Sequence, residues 1–354
     1  MKTFISQGGA GRALSLWSTP LLWTLVLGII ALAVQAAGEQ HLSITLGETL
    51  IRLVAVIGIY TFVGHSGVVS FGHVGFISLG AYAAAWAGCD PAWKGLMLTA
   101  LPAVLRDHAY GLPVSLAFAA ALSAAVAAVL GLALMKLSGI AATIATFGFL
   151  IILNSLFSNW DALTAGTSSI IGIPTTVTPA VAWLVAVAAV AVAWWYQNSR
   201  QGLMLQATRD SEPAAQSVGI HMVRVRLSSF ILSAAICGVA GALYAHFVGF
   251  LSPDAMYLDT TFILLSMLVI GGMQSLSGAV LGTLLVSALI ELLRVGEAGF
   301  GVGGHALALP SGSQQLALAV TLAVVLLVRP GGLMGRKEWT VGTMTATEAK
   351  PQPA

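Results

Sequence analysis

Leu112-Pro113-Val114-Ser115-Leu116-Ala117-Phe118-Ala119-Ala120-Ala121-Leu122-Ser123-Ala124-Ala125-Val126-Ala127-Ala128-Val129-Leu130-Gly131-Leu132-Ala133-Leu134-Met135 is an unbroken apolar stretch with two serines and no charge. As an α-helix it would be about 36 Å long, enough to cross a hydrocarbon core about 30 Å thick. Its apolar residues are continuous rather than alternating, and a backbone in lipid must satisfy its hydrogen bonds within its own segment. The stretch therefore reads as a membrane-spanning helix and not as a barrel strand.

Working outward, similar runs lie at about 20–37, 46–63, 69–88, 140–157, 179–196, 227–250, 260–273, 276–293 and 315–328, which makes ten in all. The runs at 260–273 and 315–328 are short for a full crossing. Across the 354 residues, 58% are apolar and 8% charged, against roughly 25% charged in an ordinary soluble domain. That balance disfavours a water-soluble enzyme, a DNA-binding protein and a disordered scaffold together. The fold class expected is an all-α polytopic membrane protein of about ten transmembrane helices with glycine-rich broken segments.

The basic residues orient it. With the amino terminus inside, cytoplasmic segments hold Lys2, Arg12, Lys136, Arg200, Arg209, Arg224, Arg226, Arg329, Arg336, Lys337 and Lys350, and outer segments hold Arg52, Lys94, Arg106 and Arg294. The asymmetry follows the positive-inside rule and puts both termini in the cytoplasm. Lys2 and Arg12 before the first run give it some look of a signal peptide, but the run is long for one, and an uncleaved anchor is favoured. The chain divides into a cytoplasmic amino-terminal segment (1–19), a membrane domain (20–335) and a cytoplasmic tail (336–354) rich in Thr, Ala and Pro and expected to be disordered.

One connection stands apart from the short loops: residues 197–226 between two strongly apolar runs. Within it, Asp210 or Ser211 can cap a short helix, Pro213 fits its first turn, and Gly219 can end it in a left-handed conformation. A short capped helix at the membrane surface is a lever, because a partner that pushes it moves the two spans it joins.

Charge inside the membrane is nearly absent. Glu48, Arg52, Glu291 and Arg294 fall near predicted outer ends, and Asp161, Asp254 and Asp259 in or beside outer loops. A proton- or sodium-coupled carrier needs ionisable groups at membrane depth, so this distribution weakens that reading. No Gly-x-x-x-x-Gly-Lys-[Ser/Thr] loop is present, so if ATP drives transport another polypeptide hydrolyses it. Gly299-Phe300-Gly301-Val302-Gly303-Gly304 lacks the strand and helix of a dinucleotide site and reads as a flexible outer loop. No nucleophile elbow and no His-Glu-x-x-His motif supports a hydrolase. Cys89 and Cys237 match no metal or redox spacing, and His65 and His73 lack further ligands nearby, so no metal site is expected and hydrogen bonding at helix ends is the role expected of the histidines.

Glu212-Pro213-Ala214-Ala215-Gln216-Ser217-Val218-Gly219 fits the Glu-x-Ala-Ala-x-x-x-Gly core of the coupling loop in ABC-importer permeases. With Gly202-Leu203, Arg209, Ser229 to Ala234 and Gly238 to Tyr244, it resembles the branched-chain amino acid permease family of the LivM type. Gly64 to Tyr82, containing Ser70-Phe71-Gly72-His73, is similar to that family's early glycine-rich segment. Gly271-Gly272-Met273-Gln274-Ser275-Leu276-Ser277-Gly278 is similar to a later family turn, with Gln274 and Ser277 as departures. The resemblance covers about residues 45 to 335, in the family's order.

The resemblance implies an ATP-driven importer of branched-chain or other hydrophobic amino acids, with urea and short-chain amides as rival solutes. It implies a second, LivH-like permease, two cytoplasmic ATPase subunits that bind ATP and Mg, an extracytoplasmic solute-binding protein, and an inner-membrane location. No cofactor is expected on this chain. Arg209, Asp210, Ser211, Glu212, Ala214, Ala215 and Gly219 are the residues expected to couple to the ATPase. Candidates for the translocation pathway are Ser70, Gly72, His73 and Ser78 in the early segment, with Thr143, Thr146 and Asn154 from the fifth run. Glycines at this density let helices approach closely, as Gly278 and Gly282 would, and permit breaks that line a cavity.

Overall fold

The computed structural model describes residues 18–339 apart from 299, 303, 304, 308, 309 and 311. Each of the ten apolar runs contains a helix. They are α1 (Ser18–Ala37), α2 (Gln40–Ser66), α3 (His73–Gly88), α6 (Leu112–Leu134), α7 (Gly139–Asn159), α9 (Pro179–Asn198), α12 (Met222–Val248), α13 (Leu258–Gly271), α14 (Leu276–Ala298) and α15 (Ser313–Val328). The short helices between them are α4 (Pro91–Met97), α5 (Ala103–Arg106), α8 (Asp161–Thr164), α10 (Arg200–Asp210) and α11 (Glu212–Ser217). Eight helices among the described residues are long and apolar enough to cross a membrane. Those that fall short are α3 and α15, of 16 residues each.

The run at 260–273 is not short after all, because a 3-10 turn from Pro253 extends it back to a segment of 19 residues. The run at 69–88 is shorter than its hydropathy suggests. α2 ends at Gly67, which turns the chain with a left-handed φ of +72°, and residues 68–72 are irregular before α3 opens at His73. The broken backbone finds partners in neighbouring side chains: Val68 N donates to Ser66 Oγ at 3.2 Å and Thr143 Oγ1 donates to Val69 O at 2.9 Å. Irregular backbone at membrane depth is tolerated where protein buries it in this way.

α12 is the centre of the bundle, packed against α2, α3 and α6. All 16 residues of α3 are buried, so this short helix meets protein and not lipid. The approach of α3 to α12 is set by glycine: a Cβ on Gly80 would lie 2.5 Å from the Gly238 Cα, and one on Gly238 would lie 2.7 Å from the Ala119 carbonyl of α6. Close helix contact through small residues replaces the hydrophobic drive that lipid cannot supply. Hydroxyls of α12 complete the seam, with Ser233 donating to Gly58 O at 2.6 Å and Ser229 to Thr61 O at 3.0 Å. The expected contact at Gly278 and Gly282 forms within the α13–α14 hairpin, where Gly282 abuts Gly271 and the Met267 carbonyl.

Polar tethers hold the two ends of the bundle. At the first end, residues 329–339 fold back: Leu333 N and Met334 N donate to the Ile270 and Gly271 carbonyls at 2.9 and 3.0 Å. Glu338 receives the N–H groups of Leu276 and Ser277 at 2.7 and 3.0 Å, capping α14. Trp339 stacks on Trp23 of α1, whose indole N–H donates to Ser277 Oγ at 3.1 Å. Residues 336–339, assigned to the tail by sequence, thus belong to the packed body, while 1–17 and 340–354 lie outside the described residues. At the far end, Lys94 is fully buried and its ammonium donates to the Trp86, Leu105 and His108 carbonyls at 3.2, 2.6 and 2.7 Å. β1 (Ile170–Ile171) pairs antiparallel with β2 (Phe250–Leu251) at this end.

In place of the flexible loop expected at 299–304, β3 (Phe300–Val302) pairs antiparallel with β4 (His305–Leu307). Gly299, Gly303 and Gly304 lie outside the described residues.

Candidate functional site

The 197–226 connection folds into two helices where the sequence suggested one. Ser199 caps α10, its Oγ accepting from Gly202 N at 3.1 Å. Ser211, rather than Asp210, caps α11, accepting from Ala214 N at 3.4 Å. Pro213 sits in the first turn of α11. Gly219 adopts φ +83° beyond its end, with Gly219 N donating to Gln216 O and Ile220 N to Ala215 O. This pair of bonds is the Schellman arrangement, which satisfies helix-end carbonyls and favours glycine at the left-handed position.

The residues expected to couple fall into two groups. Arg209, Glu212 and Ala215 are held by the protein itself. Arg209 Nη1 donates to Gly64 O at the end of α2, at 2.7 Å, and its stem lies against Gly67. Glu212 is ion-paired with Arg226 of α12, a guanidinium only 3% exposed. Ala215 is buried. Ser211, Asp210, Ala214 and Gly219 are exposed, and Val218, which sequence reading passed over, is the most exposed apolar residue of the segment at 75%. The segment therefore has an inner face tied to α2 and α12 and an outer face of small residues. A cavity of about 640 Å³ lies beside it, with Thr208, Arg209, Asp210, Gln274 and Arg336 in its walls. Arg336 reaches Asp210 at 3.9 Å and donates to Gln274 at 2.5 Å, so the folded-back chain also touches this segment.

Of the seven pathway candidates, five gather at the α2–α3 break. His73 Nδ1 and Ser70 Oγ are 2.8 Å apart, Gly72 packs on the Thr146 carbonyl, and Thr143 and Thr146 stand at the start of α7, where Thr146 Oγ1 donates to Thr143 O at 2.9 Å. His73 is fully buried among Phe62, Phe76 and Phe230. His65 Nδ1 lies 3.1 Å from Thr61 O. Both histidines have the helix-end hydrogen bonds expected of them. Among the described residues no group of three or more His, Cys, Asp or Glu is placed to hold a metal. Ser78 is buried on α3, and Asn154 on α7 leaves its Oδ1 without a partner.

None of these seven lines a second cavity, of about 310 Å³, at the far end among α2, α12, α13 and α14. Its rim carries Glu48, Arg52 and Arg294. Glu48 accepts from Arg52 at 3.1 Å and lies 3.4 Å from Arg294, which also lies 3.4 Å from Glu291, and Glu291 is 3.2 Å from His41. Sequence reading placed these charges at outer helix ends without assembling them. The Glu48/Arg52 and Glu291/Arg294 spacings put each pair on one helix face, but only packing of α2 on α14 joins the pairs.

The structure is an all-helical set of candidate membrane spans joined closely through glycine, with a capped helix pair at one end. The family described as branched-chain amino acid transport system / permease component matches residues 42–329, and the chain belongs to it. The chain is 28% identical over 282 residues to the high-affinity branched-chain amino acid transport system permease protein LivM of Salmonella typhimurium, an alignment covering 70% of this chain and 62% of that protein. It is 27% identical over 311 residues to LivH of the same organism, covering 83% and 94%. The autoinducer 2 import system permease protein LsrC of Salmonella paratyphi B is 26% identical over 214 residues, covering 56% and 61%. The chain thus spans about three-fifths of the LivM relative's length. No solved structure matches it.

Proposed function

We propose that the chain is a LivM-type permease subunit of an ATP-driven importer for branched-chain or other hydrophobic amino acids, forming half of the translocation pathway beside a LivH-like permease. Of two ATPase subunits that bind ATP and Mg, one docks on the outer face of α10 and α11, so this chain is a conduit and not an enzyme. An extracytoplasmic solute-binding protein delivers solute to the opposite end. The chain lies in the inner membrane with both termini cytoplasmic, as its basic residues favour. Family membership over residues 42–329 carries this reading. The lever supports it: α10 is pinned to α2 through Arg209 and α11 to α12 through Glu212, so displacement of the lever moves both helices.

The test is reconstitution of the chain with its partner permease, ATPases and binding protein in proteoliposomes. ATP-dependent leucine uptake is expected. Uptake by the chain alone under a pH gradient would instead establish a secondary carrier, and ATP-dependent uptake of urea or acetamide without leucine would reassign the solute.

A further inference from the structure

The far-end cavity is divided chemically. Its floor is apolar, formed by Ile51 and Ala55 of α2, Ile77 of α3, Ala240 of α12, and Ile263 and Leu264 of α13. Its rim holds the interlocked charges of Glu48, Arg52 and Arg294, backed by Glu291. Glu291 lies outside the lining, but counted with it the cluster pairs two carboxylates with two guanidiniums and is balanced. A ligand of net charge would itself go uncompensated beside this internally paired cluster in a partly desolvated site, which is costly. A ligand bearing one positive and one negative group keeps the balance. Guanidiniums present five donors each and receive carboxylates in paired hydrogen bonds. The Arg294 side chain is 40% exposed, so its remaining donors are accessible.

We infer that this cavity is a binding site for a zwitterionic α-amino acid with an apolar side chain, its carboxylate at Arg52 and Arg294, its ammonium at Glu48 and its side chain on the Ile51–Ala55–Ile263 floor. The inference rests on the importer reading and gives it a location. A small polar amide has no apolar part to cover that floor, so the site discriminates against urea-like solutes. The cavity is also joined to the lever. α2 and α12 are each 27 residues long, about 40 Å of continuous helix. α2 runs from Glu48 at the rim to Gly64, which receives Arg209; α12 runs from Arg226, which holds Glu212, to Ala240 and Tyr244 in the cavity wall.

The experiment uses photo-leucine, a diazirine analogue, on the assembled complex in lipid nanodiscs, with adducts mapped by mass spectrometry. Adducts on peptides containing Ile51–Ala55, Ala240–Tyr244 or Ile263–Leu264 are expected, suppressed by excess leucine and not by urea. Arg294→Gln should lower this labelling at least tenfold. Glu48→Gln is the second variant, should Arg294→Gln fail to assemble. Adducts only elsewhere, labelling indifferent to leucine, or labelling unchanged in both variants would overturn the site. Leucine-suppressed adducts in the cavity of a complex that shows no ATP-dependent leucine uptake would keep the site and remove the importer reading. Uptake without these adducts would do the reverse.

Discussion

Arg209 and Gly64, 145 residues apart, are joined by a 2.7 Å hydrogen bond that fastens the lever to the end of α2. The guanidinium side chain is 16% exposed, so it acts as an internal strut and not as a docking contact. Arg209→Ala should leave the complex assembled but lower solute moved per ATP hydrolysed severalfold. Arg209→Lys should rescue only partly, because an ammonium lacks the planar fork. Parallel uptake and ATPase measurements in proteoliposomes check both.

Glu212→Gln and Glu212→Lys should separate pairing from repulsion. Removing the carboxylate leaves Arg226, 3% exposed, without its ionic partner. Breaking a fully buried pair costs about 3–5 kcal/mol. Glu212 is 42% exposed, so solvent screening reduces the loss to roughly 1–2 kcal/mol for Gln, with Lys worse. Thermal unfolding of the detergent-solubilised chain should rank wild type above Gln above Lys.

Gly219→Val should damage the lever without disturbing the bundle. No atom lies within 4 Å of a Cβ placed there, so the penalty is the left-handed backbone alone, roughly 1–2 kcal/mol. Asn tolerates that conformation, so Gly219→Asn should retain transport where Val does not. Loss of ATPase copurification by Val, with a melting temperature of the isolated chain lowered by no more than that of Glu212→Gln, is the expected pattern.

Gly238→Leu should have the opposite signature. A side chain there meets the Ala119 carbonyl and Ser123, forcing α12 away from α6. Overpacking of a tight core costs typically 1–3 kcal/mol, and more when backbone must move. Reduced accumulation in membranes and a lowered melting temperature are expected.

Cys89 should resist maleimide in native membranes. It is fully buried, and burial pushes its thiol up to about 12, leaving negligible thiolate near neutral pH. Cys237 is fully buried as well. Labelling should appear only after denaturation, checked by a gel shift.

The ten helices and the cap, proline and glycine of α11 were legible because each depends on local composition or on a residue's own backbone preference. α10 was not recognised: its residues are mostly polar, and burial is confined to a few positions such as Gly202, Leu205 and Thr208. The available sign was Ser199 three residues before Gly202, a weak cap signal. The internal partners of Arg209 and Glu212, the Gly64 carbonyl and Arg226, are not legible, because sequence shows the charges but not what folds against them. The amphipathic cavity was illegible for a similar reason. Its floor residues look like any apolar run, and its rim forms only when α14 packs on α2.

The node of Trp23, Ser277, Glu338 and Trp339 bears on biogenesis. Trp23 leaves the ribosome long before Ser277, from which it is separated by 254 residues, and Trp339 later still. α1 can insert early, but its Ser277 bond and its stacking partner exist only once residues 277 and 339 have been made. Until then the first helix waits in the bilayer without them, so in a nascent chain stalled within α15 the Trp23 end of α1 lacks its Trp339 stack and should be held less firmly than in the folded protein.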